Sequence, residues 1–434
     1  MLRGGLPIRP MPDAGSEPPR KPARRFAAIP AVRLLASGPF AIYSPFNFLS
    51  LTGSWGQRVA AGWLVWEWTG SGFWLGVLAL ADLAPVVLIG PFAGVLADRW
   101  SRMTVNRVIH SILVVLSALL ALLIFFDQIT LALLIGLIGL NGTLSALAQP
   151  ARLALVQELV PREDVGSAVA INSVNSNMAR LIGPAVAATM IIHVHIGWVF
   201  LGNALVTALF TLVLGRLKLL PTPRRQLSGG VLAQIGQGFG YLLAERALRL
   251  VLLVNLLGGV LVRSLGELLP AFAARSFADT ATGLATLTSS LAFGAVIAGL
   301  TIGRLGSEGR LMRQGAYAWA IAAVFGVGFG LVSSPWAAML CVCGLGLWIA
   351  RGLILAQTFV QLRAPDEMRG RALSVHGLIV RSSPAIGALM IGTALDAMGL
   401  AWSVSAAMLL FALAFMALLP VVLRQSARID SGQG

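Results

Sequence analysis

The stretch VQELVPREDVGSA at residues 156–168 decides the fold, because a related stretch, VQLRAPDEMRGRA, follows 204 positions later at residues 360–372. Residues that correspond at an offset of 204 or 205 are Pro161 and Pro365, Gly166 and Gly370, Gly183 and Gly387, Arg58 and Arg263, and Arg99 and Arg304. Several matches at nearly one offset predict that the chain consists of two duplicated halves that fold alike.

The composition is that of a membrane protein, with 57% hydrophobic and only 11% charged residues among 434. Soluble domains average about 25% charged residues, and they could not bury this much apolar surface. A spanning helix needs about 20 mostly apolar residues. The segments that qualify are residues 40–66, 74–97, 105–126, 130–152, 167–192 and 196–215, and then 249–272, 281–303, 313–332, 335–360, 371–395 and 399–423. We predict an all-α membrane protein with twelve transmembrane helices in two pseudo-symmetric six-helix bundles.

Polar stretches divide the chain into five regions. Residues 1–36 are rich in Pro and Arg and have no signal-peptide core, which predicts a disordered cytoplasmic tail. Two six-helix bundles, over 37–215 and 249–423, are joined by a linker over 216–248. Its stretch VLAQIGQGFGYLLAER has apolar residues at helical spacing, which predicts an amphipathic helix at the cytoplasmic interface. Residues 424–434 are predicted to form a second cytoplasmic tail.

The net charge of +15 predicts membrane topology and not a nucleic-acid partner, because the bases lie in loops between apolar segments. Loops assigned to the cytoplasm carry Arg99, Arg102, Arg107, Arg162, Arg216, Lys218, Arg224, Arg225, Arg304, Arg310, Arg313, Arg363, Arg369 and Arg371. Loops on the other side carry one base, Arg275. We therefore expect a multi-pass protein of a bacterial cytoplasmic (inner) membrane, with the lipid bilayer as partner and both termini in the cytoplasm.

Five tryptophans cluster around the predicted outer end of the first two segments, and most of them are expected to form an aromatic belt at that interface: Trp55, Trp63, Trp66, Trp68 and Trp74.

Sequence motifs of catalysis, metal binding and nucleotide binding are absent. The chain contains no H-E-x-x-H, no G-x-S-x-G and no G-x-x-x-x-G-K-[ST]. Cys341 and Cys343 lie in one apolar run and are predicted to be packing residues, and His193 and His195 have no companion ligands. We expect no enzyme activity, no metal and no cofactor.

The loop GVLADRWSR, which begins at Gly94 and ends at Arg102, predicts a gating element. Glycine permits close approach of a neighbouring helix. Asp98, followed by Arg99, can cap a helix N-terminus and pair with a base in one conformation and release both in another. Arg152, near the cytoplasmic end of the fourth segment, is the candidate partner of Asp98. A static loop anchor is the alternative interpretation.

This loop resembles the signature of the major facilitator superfamily, usually G-x-L-A-D-R-x-G-R-R, although Ser101 and Met103 replace the usual glycine and base. The stretches WTGSGFWLG, QPARLALVQELVP, INSVNSNMARLIGPA and RAPDEMRGRALS resemble the bacterial branch that contains the enterobactin exporter and macrolide-efflux proteins. The resemblance implies twelve helices in two pseudo-symmetric bundles and efflux driven by the proton gradient. We expect a monomer.

The fifth segment contains ARLIGPAVAA, which resembles the glycine-rich motif of drug–proton antiporters ending in G-P-x-x-G-G. Gly183 and Pro184 are kept, with Arg180 shortly before them, whereas two alanines replace the final glycines. Small residues still permit a kink and close helix packing. Asn175 and Asn177, at the polar start of this segment, are expected either to line a cavity or to bond to neighbouring helices.

Ionisable residues inside the spans are the remaining functional candidates, because each is costly in a bilayer. Arg58 and Asp82 lie at similar depth and can pair, and Arg263 and Glu267 lie one turn apart on the seventh segment. Our hypothesis is that Asp82 or Glu267 exchanges protons, while Arg58 or Arg263 binds an anionic substrate group or keeps that carboxylate ionised. Structural salt bridges are the alternative. Further candidates are Arg180, Arg351 and Arg381.

These features predict a secondary active transporter that exports a small organic molecule, a siderophore or a hydrophobic drug, by proton-coupled alternating access. The excess of bases over acids at depth favours an anionic or neutral cargo. A lysophospholipid flippase or a small-molecule importer on the same fold is the principal alternative. A membrane-embedded enzyme and a transporter-like receptor are two further ones.

Overall fold

The molecule is described from a computed structural model. It covers residues 30–99, 101–217, 231–303 and 306–432, and the side chains in these ranges except at 30, 31, 86, 87, 90–99, 231–235 and 366. Every regular element in these ranges is helical, and none of them contains a strand. The predicted all-α class is confirmed.

The N-terminal half contains seven helices. They are α1 (Pro30–Ala36), α2 (Pro39–Thr69), α3 (Gly72–Arg99), α4 (Arg102–Phe125), α5 (Leu131–Glu158), α6 (Val165–His193) and α7 (Gly197–Arg216), with a 3-10 turn over Arg162–Asp164 before α6. The six helices α2–α7 follow the six segments predicted for this half.

The C-terminal half repeats this order. Its helices are α8 (Val231–Ala244), α9 (Arg246–Leu261), α10 (Leu269–Ser276), α11 (Thr280–Thr301), α12 (Glu308–Leu331), α13 (Pro335–Arg363), α14 (Asp366–Met398) and α15 (Leu400–Asp430), with a 3-10 turn over Arg263–Leu268 between α9 and α10. Six spans result, because α9, the 3-10 turn and α10 together form one broken segment.

Nine segments in the described ranges are long and apolar enough to cross a membrane: α4, α5, α7, α9–α10 and α11–α15. Helices α2, α3 and α6 have 31, 28 and 29 residues, so each is also long enough at about 1.5 Å per residue. Polar side chains lower the hydropathy of α2 and α6, and some of them, such as Asn47 and Gln57 of α2, are buried. The helices therefore fit the predicted twelve.

Corresponding helices of the two halves begin in the same way. The Ser101 hydroxyl accepts a hydrogen bond from the backbone N–H of Thr104 at 3.0 Å and caps α4. The Ser307 hydroxyl accepts one from Arg310 at 3.4 Å and caps α12. A serine satisfies a helix N–H that has no partner within the helix, so the duplication extends to the local signals that start α4 and α12.

The matched pair Gly183 and Gly387 makes equivalent contacts in the two halves. A Cβ atom at Gly183 would overlap the carbonyl oxygen of Thr52 on α2, and one at Gly387 would overlap that of Val260 on α9. Only glycine allows backbones to approach so closely. Helix α6 is therefore packed against α2, and α14 against α9, which is the first span of its half.

The two halves pack against each other through α3 with α14 and α6 with α11. At the end that carries the α2–α3 turn, the Asp396 carboxylate of α14 accepts hydrogen bonds from Ser71 Oγ at 2.5 Å, Gly72 N at 2.7 Å and Phe73 N at 3.1 Å. An acceptor at these N–H groups caps α3 and favours its dipole. A side chain of one half thus caps a helix of the other.

The structure differs from the predicted boundaries in three places. Helix α1 lies within the predicted disordered tail, where the Arg33 guanidinium binds the Asp164 carboxylate at 2.6 Å. Helix α15 continues through the predicted C-terminal tail to Asp430, which accepts a hydrogen bond from Ser307 Oγ at 2.7 Å.

The seventh segment is broken, so Glu267 lies on a 3-10 turn and not on a continuous helix. A helix, α8, lies in the linker range, and its place at the membrane interface stays a prediction.

Candidate functional site

A cavity of about 460 Å³ lies between the two halves. Its N-terminal wall comes from α2, α3, α5 and α6, and its C-terminal wall from the 3-10 turn before α10 and from α10–α14. Most lining side chains are apolar. Five arginines and two carboxylates also line it: Arg58, Arg152, Arg180, Arg263, Arg381, Asp82 and Glu267.

Arg58 lies between the two carboxylates. Its Nη1 is 2.8 Å from the Asp82 carboxylate on α3, and its Nη2 donates to both carboxylate oxygens of Glu267 at 3.1 Å. The pair that depth alone allowed, Arg58 with Asp82, is present within one half. The second pair crosses to the other half and was not foreseen, because the partner lies 209 residues away.

Arg180 of α6 stacks on an aromatic ring. Its guanidinium carbon lies 4.9 Å from the ring centre of Trp55, and that of Arg58 lies 5.7 Å from the same ring. Trp55 lines the cavity, so it does not belong to the predicted interface belt. Among the described residues Arg180 forms no hydrogen bond or ion pair, so no carboxylate there contacts its charge.

Arg263 is placed by a proline. Pro384, inside α14, has no N–H to donate to the carbonyl four residues before it, which is that of Val380. The Arg263 Nη1 donates to this carbonyl. Arg381 directly follows Val380 in α14. Its side chain lines the cavity and has no hydrogen-bond partner in the described part of the chain.

The four arginines Arg58, Arg180, Arg263 and Arg381 act on one another electrostatically, with Glu267 as the shared opposing charge. Two of these side chains come from each half. The cavity therefore has a positive centre on the boundary along which the halves meet.

The amide residues lie apart from this centre. Asn175 Nδ2 donates to Ser44 Oγ at 2.8 Å, whereas Asn177 is exposed and not among the described lining residues of the cavity. For Asn175 the structure shows the bonding alternative. Arg351 does not belong to the described cavity wall either, since it lies over Trp348 and donates to the Thr301 carbonyl at 3.4 Å.

The predicted gate is only partly described. The side chains of Gly94, Asp98 and Arg99 lie outside the described residues. Arg102 pairs with Glu158 at 2.7 Å. This ion pair joins the start of α4 to the end of α5 within the N-terminal half. Arg152 donates to Asn47 Oδ1 through Nε at 3.0 Å and Nη2 at 2.5 Å, so a pair of Arg152 with Asp98 stays a prediction.

The fifth-segment motif has a packing position. Gly183 lies against α2, as described above, and Pro184 lines the cavity. Because proline lacks an N–H, the backbone carbonyl of Arg180 loses its partner within α6. The motif therefore shapes the helix that carries Arg180.

Sequence reasoning did not select Asp396, which joins the halves at the α2–α3 turn. The available signal was an acid close to the C-terminal end of a hydrophobic segment, and that signal does not name a partner. No group of three or more His, Cys, Asp or Glu side chains that could hold a metal occurs among the described residues.

Comparisons with known proteins identify the family of the chain. Residues 34–433 match the family model described as transmembrane secretion effector. The chain is 25% identical to the multidrug efflux pump Tap of Mycolicibacterium fortuitum over 81% of its length and 89% of the pump's. It is 28% identical to the enterobactin exporter of Salmonella typhimurium over 69% and 72% of the two chains. A shorter match to the staphyloferrin A transporter of Staphylococcus aureus, 29% identical, covers 37% of this chain and 40% of that one.

Solved structures show the same fold. A bacterial homolog of the human lysosomal transporter Spinster, in an inward-facing and unoccupied conformation, superposes with a TM-score of 0.66 at 15% identity, over 93% of this chain and 98% of that one. A D-xylose–proton symporter superposes with a TM-score of 0.65 at 16% identity, over 88% and 97%. At such identity the likeness concerns the fold alone.

Proposed function

The chain belongs to the transmembrane secretion effector family of the major facilitator superfamily, and from this premise we propose that it exports a small organic molecule with acidic groups. A siderophore is the class of cargo that we favour. The observation that carries the proposal concerns the four arginines of the positive centre, of which Arg180, Arg263 and Arg381 have no carboxylate partner among the described residues.

The physical argument concerns the cost of buried charge. A cation within the bilayer is expensive unless an opposite charge or a polar group compensates it. The two carboxylates of the cavity already flank Arg58. An acidic cargo would supply the missing negative charge between the halves, whereas a cationic drug would be repelled. Two relatives named for siderophores support this choice.

Alternating access follows from the arrangement of the walls. The cavity lies between halves that pack through α3 with α14 and α6 with α11. Rocking the halves would expose the arginines to one membrane face and then to the other. The contact of Arg58 with Glu267 crosses this boundary, so it must change in each cycle.

Proton coupling is the second part of the proposal. Arg58 is shared by Asp82 and Glu267, so a proton that neutralises either carboxylate weakens one of its two ion pairs. Protonation of Glu267 would release the contact between halves, and deprotonation would restore it. The membrane proton gradient would thereby drive the cycle in a bacterial cytoplasmic membrane with both termini inside.

A hydrophobic drug is the second candidate cargo. The walls of the cavity are mostly apolar, with Leu78, Leu291 and Phe329 among the lining residues, and one relative is named as a multidrug pump. Acidic amphiphiles would satisfy both the apolar walls and the arginines.

Binding to the purified protein in lipid nanodiscs tests the choice of cargo. Tryptophan fluorescence, with Trp55 beside the arginines, is titrated with citrate, with 2,3-dihydroxybenzoate and with the cation ethidium. We expect both acids to bind, and Arg180→Gln and Arg381→Gln each to weaken them about 10-fold, the effect of one lost charged hydrogen bond. Arg351→Gln, an arginine outside the described cavity wall, is the matched control.

The opposite pattern would exclude an acidic cargo. If ethidium binds more tightly than either acid, or if Arg351→Gln weakens the acids as much as Arg180→Gln, the cavity arginines do not select the cargo. Accumulation of the preferred class in cells that lack the gene then tests export itself.

A further inference from the structure

A second, smaller cavity of about 60 Å³ lies inside the N-terminal half, between α2, α4, α5 and α7. We call it the side chamber. It adjoins the transport cavity, because Ser54, Asn141, Ser145, Gln149 and Arg152 line both. Its volume admits several water molecules or one small ion, and it excludes an organic cargo.

Part of the wall of the side chamber, which includes Asn203 and Thr207, is polar and buried, whereas Ser54 and Ser145 are exposed. Asn203 Nδ2 donates to Gln57 Oε1 at 2.8 Å and to Ser117 Oγ at 3.0 Å, and its own oxygen accepts from Thr207 at 3.4 Å. Each of these four side chains is at most 4% exposed. Buried polar groups in a membrane protein are costly and mark functional positions.

The duplicated half serves as an internal control. Its corresponding helices α9, α12, α13 and α15 enclose a void of only about 10 Å³. At the offset that relates Pro161 to Pro365, Ala356 corresponds to Arg152. At the offset between the capping serines of α4 and α12, Ala316 corresponds to His110. Both alanines line the smaller void. The C-terminal half therefore has a smaller void here, with Asn255 as its polar lining residue, and the more extensive polar lining in the N-terminal half needs a functional reason.

Arg152 gives the side chamber a positive charge. Its two bonded nitrogens share one neutral acceptor, Asn47 Oδ1, and its guanidinium carbon lies 5.8 Å from the ring centre of Phe210. No carboxylate in the described ranges forms an ion pair with it, and Asp82 and Glu267 are held by Arg58. A neutral amide satisfies the N–H groups, but it does not balance the charge.

Unused donors surround this charge. Asn141, Ser145, Gln149 and Arg152 recur on one face of α5 at helical spacing. Asn141, Ser145 and Gln149 form no hydrogen bond with another described residue, although all three line the chamber. His110 Nδ1 lies 2.8 Å from the Asn106 carbonyl oxygen, and the neutral tautomer that donates this bond leaves Nε2 as an acceptor.

From the guanidinium that lacks a carboxylate partner among the described residues, the free hydroxyl and amide donors and the smaller void in the other half, we propose that the side chamber binds a small inorganic anion, of which chloride is the physiological one. Arg152 holds the anion, and Ser145, Asn141 and Gln149 donate to it. The anion neutralises Arg152 beside the transport cavity and leaves the arginines at the boundary of the halves to the cargo.

Thermal unfolding of the full chain in lipid nanodiscs tests this site. Unfolding is followed by tryptophan fluorescence in sodium chloride, bromide or gluconate at one ionic strength. We expect a saturable rise in Tm of a few degrees with chloride and bromide but not with gluconate, because only the small anions fit and a bound ligand stabilises the folded state. Arg152→Gln is expected to lose the rise, and Arg351→Gln to keep it.

Two results would overturn the proposal: an equal Tm in chloride and gluconate for the unchanged protein, or the same chloride effect in Arg152→Gln. If Arg152→Gln does not fold, Ser145→Ala with Gln149→Ala in one chain takes its place, with a chloride titration shifted at least several-fold to higher concentration. An anomalous bromide signal in crystals, next to Arg152 or elsewhere, decides the location independently.

Discussion

At the residue scale, Arg58 is the side chain on which the proposed coupling depends. It lies between Asp82 at 2.8 Å and Glu267 at 3.1 Å, one carboxylate from each half. We predict that Asp82→Asn and Glu267→Gln each lower proton-driven transport of the cargo at least about 10-fold, because an amide cannot exchange a proton. Exchange of labelled cargo across proteoliposomes without a gradient is expected to continue, since it needs no net proton movement.

The two assays separate coupling from damage. A variant that loses gradient-driven transport and exchange alike has lost cargo binding or folding and not coupling. Full gradient-driven accumulation in both variants would remove Asp82 and Glu267 as the coupling groups. Arg351→Gln, outside the described cavity wall, serves as control and should transport normally.

At the element scale, α6 is positioned by Gly183, which lies against α2. We predict that Gly183→Ala lowers stability by about 1–3 kcal/mol, the usual cost of overpacking, because the added Cβ would lie 2.5 Å from the Thr52 carbonyl oxygen. Gly166→Ala on the same helix meets no atom within 4 Å and should be neutral or slightly stabilising, since alanine favours helices. Thermal unfolding of the two variants in one lipid compares them, and equal stability would show that the α2–α6 contact is loose.

At the scale of the whole molecule, Asp396 joins the halves at the α2–α3 turn through Ser71, Gly72 and Phe73. We predict that Asp396→Ala favours opening at this end, because α3 loses its cap and the halves lose a contact. The measurement is the labelling rate of Thr288→Cys, in the cavity wall, by an impermeant maleimide added outside cells, with Cys341 and Cys343 replaced by serine. We expect labelling to become several-fold faster.

The matched control is Asp430→Ala. This carboxylate also binds a serine near a helix start, but Ser307 and Arg313 belong to its own half. Its loss should leave the labelling rate unchanged. Equal labelling of the Asp396→Ala and Asp430→Ala chains would mean that Asp396 only caps α3 and does not hold the halves together.

The sequence by itself determined the features that depend on local pattern and repetition. Apolar segments of about 20 residues indicate the helices, because hydrocarbon tolerates only backbones whose hydrogen bonds are internal. The offset that relates Pro161 to Pro365 indicates two halves, and the cost of buried charge points to Arg58, Asp82, Arg263 and Glu267 as candidates.

Only the tertiary structure decided which of these charges meet. The contact of Arg58 with Glu267 joins residues 209 positions apart, and no helical period specifies how two bundles lie against each other. The structure likewise separated Arg351 from the described cavity wall, gave Asp396 its partners and enclosed Arg152 in a polar chamber. Periodicity fixes the side of a helix that a residue occupies, whereas packing between helices fixes what that side faces.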